Sequence, residues 1–204
     1  MPDKYESFWQ WFAEHEFEFF TFDPDNETER EPLFDRLTGK LKEIDSDLSF
    51  EFGPPSAKRE FVVSASGIRR AFSEVQSLIN AVPLLERWIV IAFRPRRLLP
   101  EVIVLGHQQI SPNTITFTLL DNGKIAGLRL FIPGYRQNNP VLKQLGYLIL
   151  DSVLGEYDVE TRLGLIEMHS ADSKIAGERY PISQLEGSFD SLVARLEGRT
   201  LKPS

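Results

Sequence analysis

The 204-residue chain contains no cysteine. Disulfides, thiol nucleophiles and Cys-ligated zinc are therefore excluded. Histidine is scarce, at three residues, so most metal and nucleophile constellations cannot be assembled. No G-x-G-x-x-G or Walker loop, no G-x-S-x-G elbow, no H-E-x-x-H and no EF-hand loop occurs. The longest clean apolar run, Trp88 to Phe93, is far short of the roughly 20 residues that span a bilayer. Met1 to Phe22 carries acidic residues throughout and no apolar stretch behind a basic start, which is not a secretory pattern. A cytoplasmic protein is expected, with no cofactor, no structural metal and no membrane partner. Cations are also in deficit. The chain has 23 Lys and Arg against 30 Asp and Glu, a net charge of −7. Affinity for phosphate backbones rests on clustered cations, so nucleic acid is not an expected partner.

What is present is ordinary for a folded chain, with 42% hydrophobic and 26% charged residues. At this length folding buries about 70% of the unfolded surface, so a single compact domain over 1–204 with added elements is expected. The acidity is not evenly spread. Residues 1–60 hold 16 acidic and 7 basic residues, while 61–204 hold 14 and 16. The acidic third suits either a solvated face or a basic protein partner.

Periodicity outlines the elements. Tyr5, Phe8, Phe12, His15 and Phe19 form one helical stripe, widened by Trp9, Trp11 and Phe20. Asp3 and Glu6 have capping-box spacing. Nine of the 23 aromatic residues lie in these first 22 positions, which reads as core or as a partner-binding face. A second helix is expected from about Glu29 to Ile44. Period-two patterns then place strands at Leu48–Phe52 and Glu60–Ala65, followed by a helix at about Ile68–Val82 and a buried strand at Trp88–Phe93. A short strand at Val102–Leu105 is plausible, with His107-Gln108-Gln109 as loop. The order then recurs. Strands at Thr114–Leu120 and Ile125–Ile132 flank an Asp121-Asn122-Gly123 turn. Asn139-Pro140 opens a helix to Leu154, which Gly155 caps. A strand at Leu163–Met168 and a helix at Ser183–Leu196 follow, and the tail Thr200–Ser204 is expected to fray.

The fold class is therefore α+β. Two ββαβ units, at 48–95 and 114–169, are expected to form a mixed, mainly antiparallel sheet of six or seven strands, with helices mostly on one face and the two N-terminal helices at 1–46 added.

Three clusters carry possible chemistry. Arg94-Pro95-Arg96-Arg97, with Arg87 upstream, offers guanidiniums at a strand end that match carboxylate or phosphate oxygens. The alternative is salt bridging to the acidic N-terminal helices. Glu167 and His169 share one strand face and, with Asp172, suggest a divalent metal or a held water, or else a solvated strand end. Gly155 to Thr161 holds three acids and reads as an exposed connecting loop. Aligning Trp88–Arg94 with Leu163–His169 makes Arg94 and His169 equivalent positions in the two units.

Phe8-Trp9-Gln10-Trp11-Phe12 on the opening helix, Phe50-Glu51-Phe52-Gly53 ahead of Arg59-Glu60-Phe61, and Leu154-Gly155-Glu156-Tyr157-Asp158 together resemble a family of uncharacterised bacterial proteins. The resemblance covers most of the chain. It implies a bacterial cytoplasmic protein and brings no activity or residue role.

Two functions compete. The first is a non-catalytic binding or regulatory module that takes a protein partner or a small anionic ligand at Arg94, Arg96, Arg97, Glu167 and His169. An immunity-type protein masking a basic partner is one version. The second is a metal-assisted hydrolase using Glu167, His169 and the arginines.

Overall fold

The computed structural model describes residues 3–200, so residues 201–204 of the expected fraying tail lie outside the described residues. Where the sequence suggested one domain, the chain divides at Arg94/Pro95 into two compact units. Each contains one ββαβ run.

In the first unit, α1 (Lys4–Thr21) starts at the anticipated capping box. Asp3 accepts from the Tyr5 and Glu6 amides, and the Glu6 side chain accepts from the Asp3 amide. The helix buries Phe8, Trp9, Phe12 and Phe19. Asn26 caps α2 (Glu27–Lys42), which buries Leu33, Leu37 and Leu41. Strand β1 (Ser49–Phe52) pairs antiparallel with β2 (Arg59–Ser64). After α3 (Phe72–Asn80), β3 (Trp88–Ala92) lies parallel to β2. The register puts Phe50, Phe52, Phe61, Val63, Trp88 and Val90 on one face, within the same core as the helices.

That core is made of rings. Phe12 stacks on Phe19 at 5.6 Å and on Phe61 at 4.9 Å, and meets Trp88 edge-on at 5.2 Å. One cation is buried in it. Arg59, 2% exposed, donates to the carbonyls of Gly53, Phe19 and Phe20, with its guanidinium 4.2 Å from the Phe22 ring centre. Loss of water lowers its pKa, while the three carbonyls and the ring faces stabilise the charge in place.

In the second unit, a hairpin of β4 (Ile103–Leu105) and β5 (Gln108–Ile110) precedes β6 (Thr116–Asp121) and β7 (Ala126–Ile132). Then come α4 (Pro140–Leu154), α5 (Glu156–Arg162), β8 (Leu163–Ser170), β9 (Tyr180–Pro181) and α6 (Leu185–Thr200). The sheet order is β8-β7-β6-β9, with β7 and β8 parallel and the other pairs antiparallel. The core is aliphatic: Leu128, Leu130, Leu145, Ile149 and Leu150 are fully buried, joined by Phe117 and Phe189.

The α+β class, the two ββαβ runs and the two N-terminal helices match the expectation. The sheet does not form one continuous layer. There are three among the described residues: β1-β2-β3, β4-β5 and β8-β7-β6-β9. The crossover strands β3 and β8 each end their own sheet rather than join it to another. Two local expectations also change. Gly155–Thr161 is not a loop: Gly155, at φ +81°, ends α4 and starts α5, which buries Glu156 and Val159. Gln108 opens β5, leaving Gly106 (φ +58°) and His107 as the turn.

Candidate functional site

The arginines expected to act together are divided between the units, and their charges are already engaged. Arg94 follows Phe93, which has φ +63°, and donates from Nε to Glu51 at 2.5 Å. In the second unit, Arg96 donates from Nε to the Leu154 carbonyl at 3.0 Å. Its two terminal nitrogens reach Glu186 at 3.2 Å, Asp158 at 2.9 Å and Asp190 at 2.7 and 2.9 Å. The Asp190 hydrogen bond holds Arg96 further into its charged form and holds the Asp190 carboxyl below its ordinary value. The Arg97 amide donates to the Ser152 carbonyl at 2.6 Å, and its side chain borders a small cleft of about 250 Å³ beside Leu99, Val153 and Ile182. The acids that neutralise Arg94 and Arg96 here are thus Glu51, Asp158, Glu186 and Asp190, none of which lies on the two N-terminal helices.

Glu167 and His169 do share one face of β8, opposite Arg129 and Phe131 of β7. Arg129 Nε donates to Glu167 Oε2 at 2.5 Å, and His169 Nε2 lies 3.6 Å from the same oxygen. The Arg129 hydrogen bond keeps the Glu167 carboxyl below its ordinary value. A carboxylate held as an anion by a guanidinium is a weak proton acceptor, so general-base chemistry is disfavoured there. The His169 ring lies 5.7 Å from Phe131, and the Arg179 guanidinium covers Phe131 at 3.7 Å. Asp172 does not complete a chelate. Among the described residues no group of three or more His, Asp or Glu is arranged to hold a metal ion.

The structure adds partners that spacing did not reveal. Glu167 and His169 line a cleft of about 480 Å³ with Ile166, Met168, Tyr135, Gln137, Lys143 and Tyr147. Lys143 and Tyr147 stand one turn apart on α4, and Tyr135 comes from the loop after β7. Lys143 is exposed, and among the described residues it forms no ion pair. Burial, followed by the charge of Glu160 and the neighbouring Tyr135, raises the Tyr147 pKa and keeps its phenol neutral. One sequence signal was available: Lys143 interrupts a helix whose only other charged residue is Asp151.

The lining also locates the cleft. Successive side chains of a strand point to opposite faces. Ile166, Glu167, Met168 and His169 are consecutive, so a single cleft can touch all four only along the outer edge of β8.

Compared with family models, with curated proteins and with solved structures, the chain matches none. No helix of the described residues is long and apolar enough to cross a membrane.

Proposed function

We propose that the protein is a non-catalytic binding module whose second unit takes a carboxylate or similar anion in the cleft between α4 and β8. The observation that carries this reading is Lys143. It is a cation without a carboxylate partner among the described residues, beside two tyrosines and His169 in a cleft. Glu167 also lines the cleft, but Arg129 neutralises it. Arg94 and Arg96, the first choice from sequence, are taken by internal acids and serve as structural ties. The hydrolase alternative loses support, because Glu167 is a poor base and no metal-binding group surrounds it among the described residues. A cytoplasmic bacterial setting fits this reading, and the net charge of −7 argues against nucleic acid as the partner.

The test is a titration of the intact 15N-labelled protein with glutarate. Saturable shifts at Lys143, Tyr147 and Glu167–His169, abolished by Lys143→Ala in a protein that keeps its melting temperature, are expected. Absence of any shift in this region overturns the reading.

A second reading rests on the first unit. Phe17 is 63% exposed on α1 beside Glu18 and borders a cleft of about 460 Å³ shared with α2. Arg36 pairs with Glu18 there, but the net-acidic first unit as a whole, with this exposed ring, suits a basic protein partner, as in an immunity-type pairing.

A further inference from the structure

Resting on the cleft reading above, we propose that the anion is an acidic side chain carried on an extended segment of a partner protein, and that this segment adds as a strand to the outer edge of β8. Among the described residues the strand ends its sheet and pairs only with β7. Among the described residues no backbone hydrogen bond from another element reaches Leu165–His169 from outside. Peptide groups facing outward on an edge strand are a template for an added strand. Eight residues at about 3.3 Å each are long enough to register a short peptide.

Edges are usually blunted by lysine, proline, a bulge or an inward-pointing charge. Leu165-Ile166-Glu167-Met168-His169 has no lysine or proline, and its one carboxylate is tied to Arg129. The only register irregularity lies near the start of the strand, opposite Ala126/Gly127. Leu165 is 41% exposed. The far edge of the sheet is partly covered, because β9 pairs with Thr116 and Phe117 of β6.

The cleft decides what the added strand carries. Lys143 and Tyr147 of α4 line the same cleft as the β8 edge. A segment lying along that edge presents alternate side chains to α4, and an Asp or Glu among them meets the Lys143 ammonium and the tyrosine hydroxyls. A second copy of this chain fits less well. Two β8 strands paired about a two-fold axis would bring together carboxylates already bound to Arg129, leaving Lys143 unmatched.

The experiment pans the intact protein against a displayed library of random linear peptides of roughly seven residues. An enriched peptide is then synthesised in three forms: unmodified, with its acid changed to Gln, and N-methylated at alternate amides. Enrichment of one Asp or Glu flanked by β-forming residues is expected. Changing the acid to Gln should weaken binding by at least about tenfold, and Lys143→Ala should remove the difference between the two forms. N-methylation on one alternate set of amides should weaken binding by a similar factor, and on the other set should not. Failure to enrich acidic peptides, or binding indifferent to both N-methylated sets, overturns the inference. If glutarate still shifts Lys143 and Tyr147 in that case, the cleft reading survives and only the peptide fails. If neither probe perturbs these residues, both fail. Concentration-dependent dimerisation that broadens the β8 resonances would replace the partner segment with a second copy and also overturn the inference.

Discussion

The same ββαβ run is solved twice in this chain with different materials. The first unit holds 16 of the 23 aromatic residues and, with 18 acidic and 11 basic residues, the entire net charge. The second holds 7 aromatic residues and a balanced 12 and 12. Rings pack in offset or edge-on pairs whose geometry adds to simple burial, so the first core is a set of specific contacts. The second is a sheet of leucines and isoleucines under α4 and α6, with adaptable Met168 at its margin. The ends of the crossover strands differ in the same sense. Past β3, Arg94 is closed off by Glu51. On β8, Glu167 and His169 remain at the wall of an open cleft. Equivalent positions thus serve closure in one unit and access in the other.

The largest expected effect comes from the ring core. Phe12→Ala should cost about 3–5 kcal/mol, because Phe12 is fully buried among five rings. Leu145→Ala in the second core should cost about 2–5 kcal/mol. All three tryptophans, Trp9, Trp11 and Trp88, belong to the first unit. Phe12→Ala should therefore move the fluorescence-detected urea transition more than Leu145→Ala does. Equal movement in fluorescence and far-UV circular dichroism for both variants would mean that the two units unfold together, and the contrast in stability would dissolve.

Next comes Arg59→Ala, at about 3 kcal/mol, since two buried carbonyls and one half-buried carbonyl lose a charged donor together. Arg59→Lys should recover only part of this, because an ammonium does not reproduce the planar fork or its stacking on Phe22. Full recovery by lysine, read from urea midpoints, would show that charge alone matters at this position.

Acid should weaken the second unit in particular. Glu167 and Asp190 both have carboxyls held below their ordinary values of 4.5 and 3.8 by arginine hydrogen bonds. A carboxyl depressed in the folded state contributes stability above its unfolded value, and that contribution is lost as pH falls through the folded value. Stability of the second unit should thus decline below about pH 4.5. Arg129→Met and Arg96→Met should flatten the decline at some cost in stability near neutral pH. An unchanged acid limb in both variants would remove these pairs as its cause. The smallest effect is expected for Arg94→Ala, at about 0.2–1 kcal/mol, because its partner Glu51 is largely solvent-facing. A larger loss in urea midpoint would mean that Arg94 closes its unit more firmly than its pair with Glu51 accounts for.

Legibility from sequence followed the range of the signal. The capping box at Asp3 and Glu6, the stripe through Phe8 and Phe12, and Pro140 and Gly155 bounding α4 are local, and local rules found them. Sheet membership is not local. Nothing in the alternation of β3 or β8 says whether a further strand lies beyond them, so a single layer was the simplest expectation. The segment after Gly155 was misread because three acids in five residues suggest solvent, whereas Glu156 is buried and Val159 supplies the apolar anchor. The cleft was half legible. Glu167 and His169 were chosen for their shared strand face, and that relation holds. Lys143, Tyr135 and Tyr147 come from a helix and a loop, and their meeting with β8 depends on the packing of α4. The acidic partners of Arg96 were hidden for the same reason, lying 62 to 94 positions further along the chain.

The clasp beside β9 bears on stoichiometry. Arg179 covers Phe131 and donates to the carbonyls of Ala171 and Ser173, the Thr118 hydroxyl donates to the Glu178 carbonyl, and two residues of β9 occupy the edge of β6. A sheet open on both sides can propagate from molecule to molecule without limit, as fibrils do. This sheet is partly capped on one side and open on the other, so strand addition is directed: the first strand to join has one edge, that of β8, to choose.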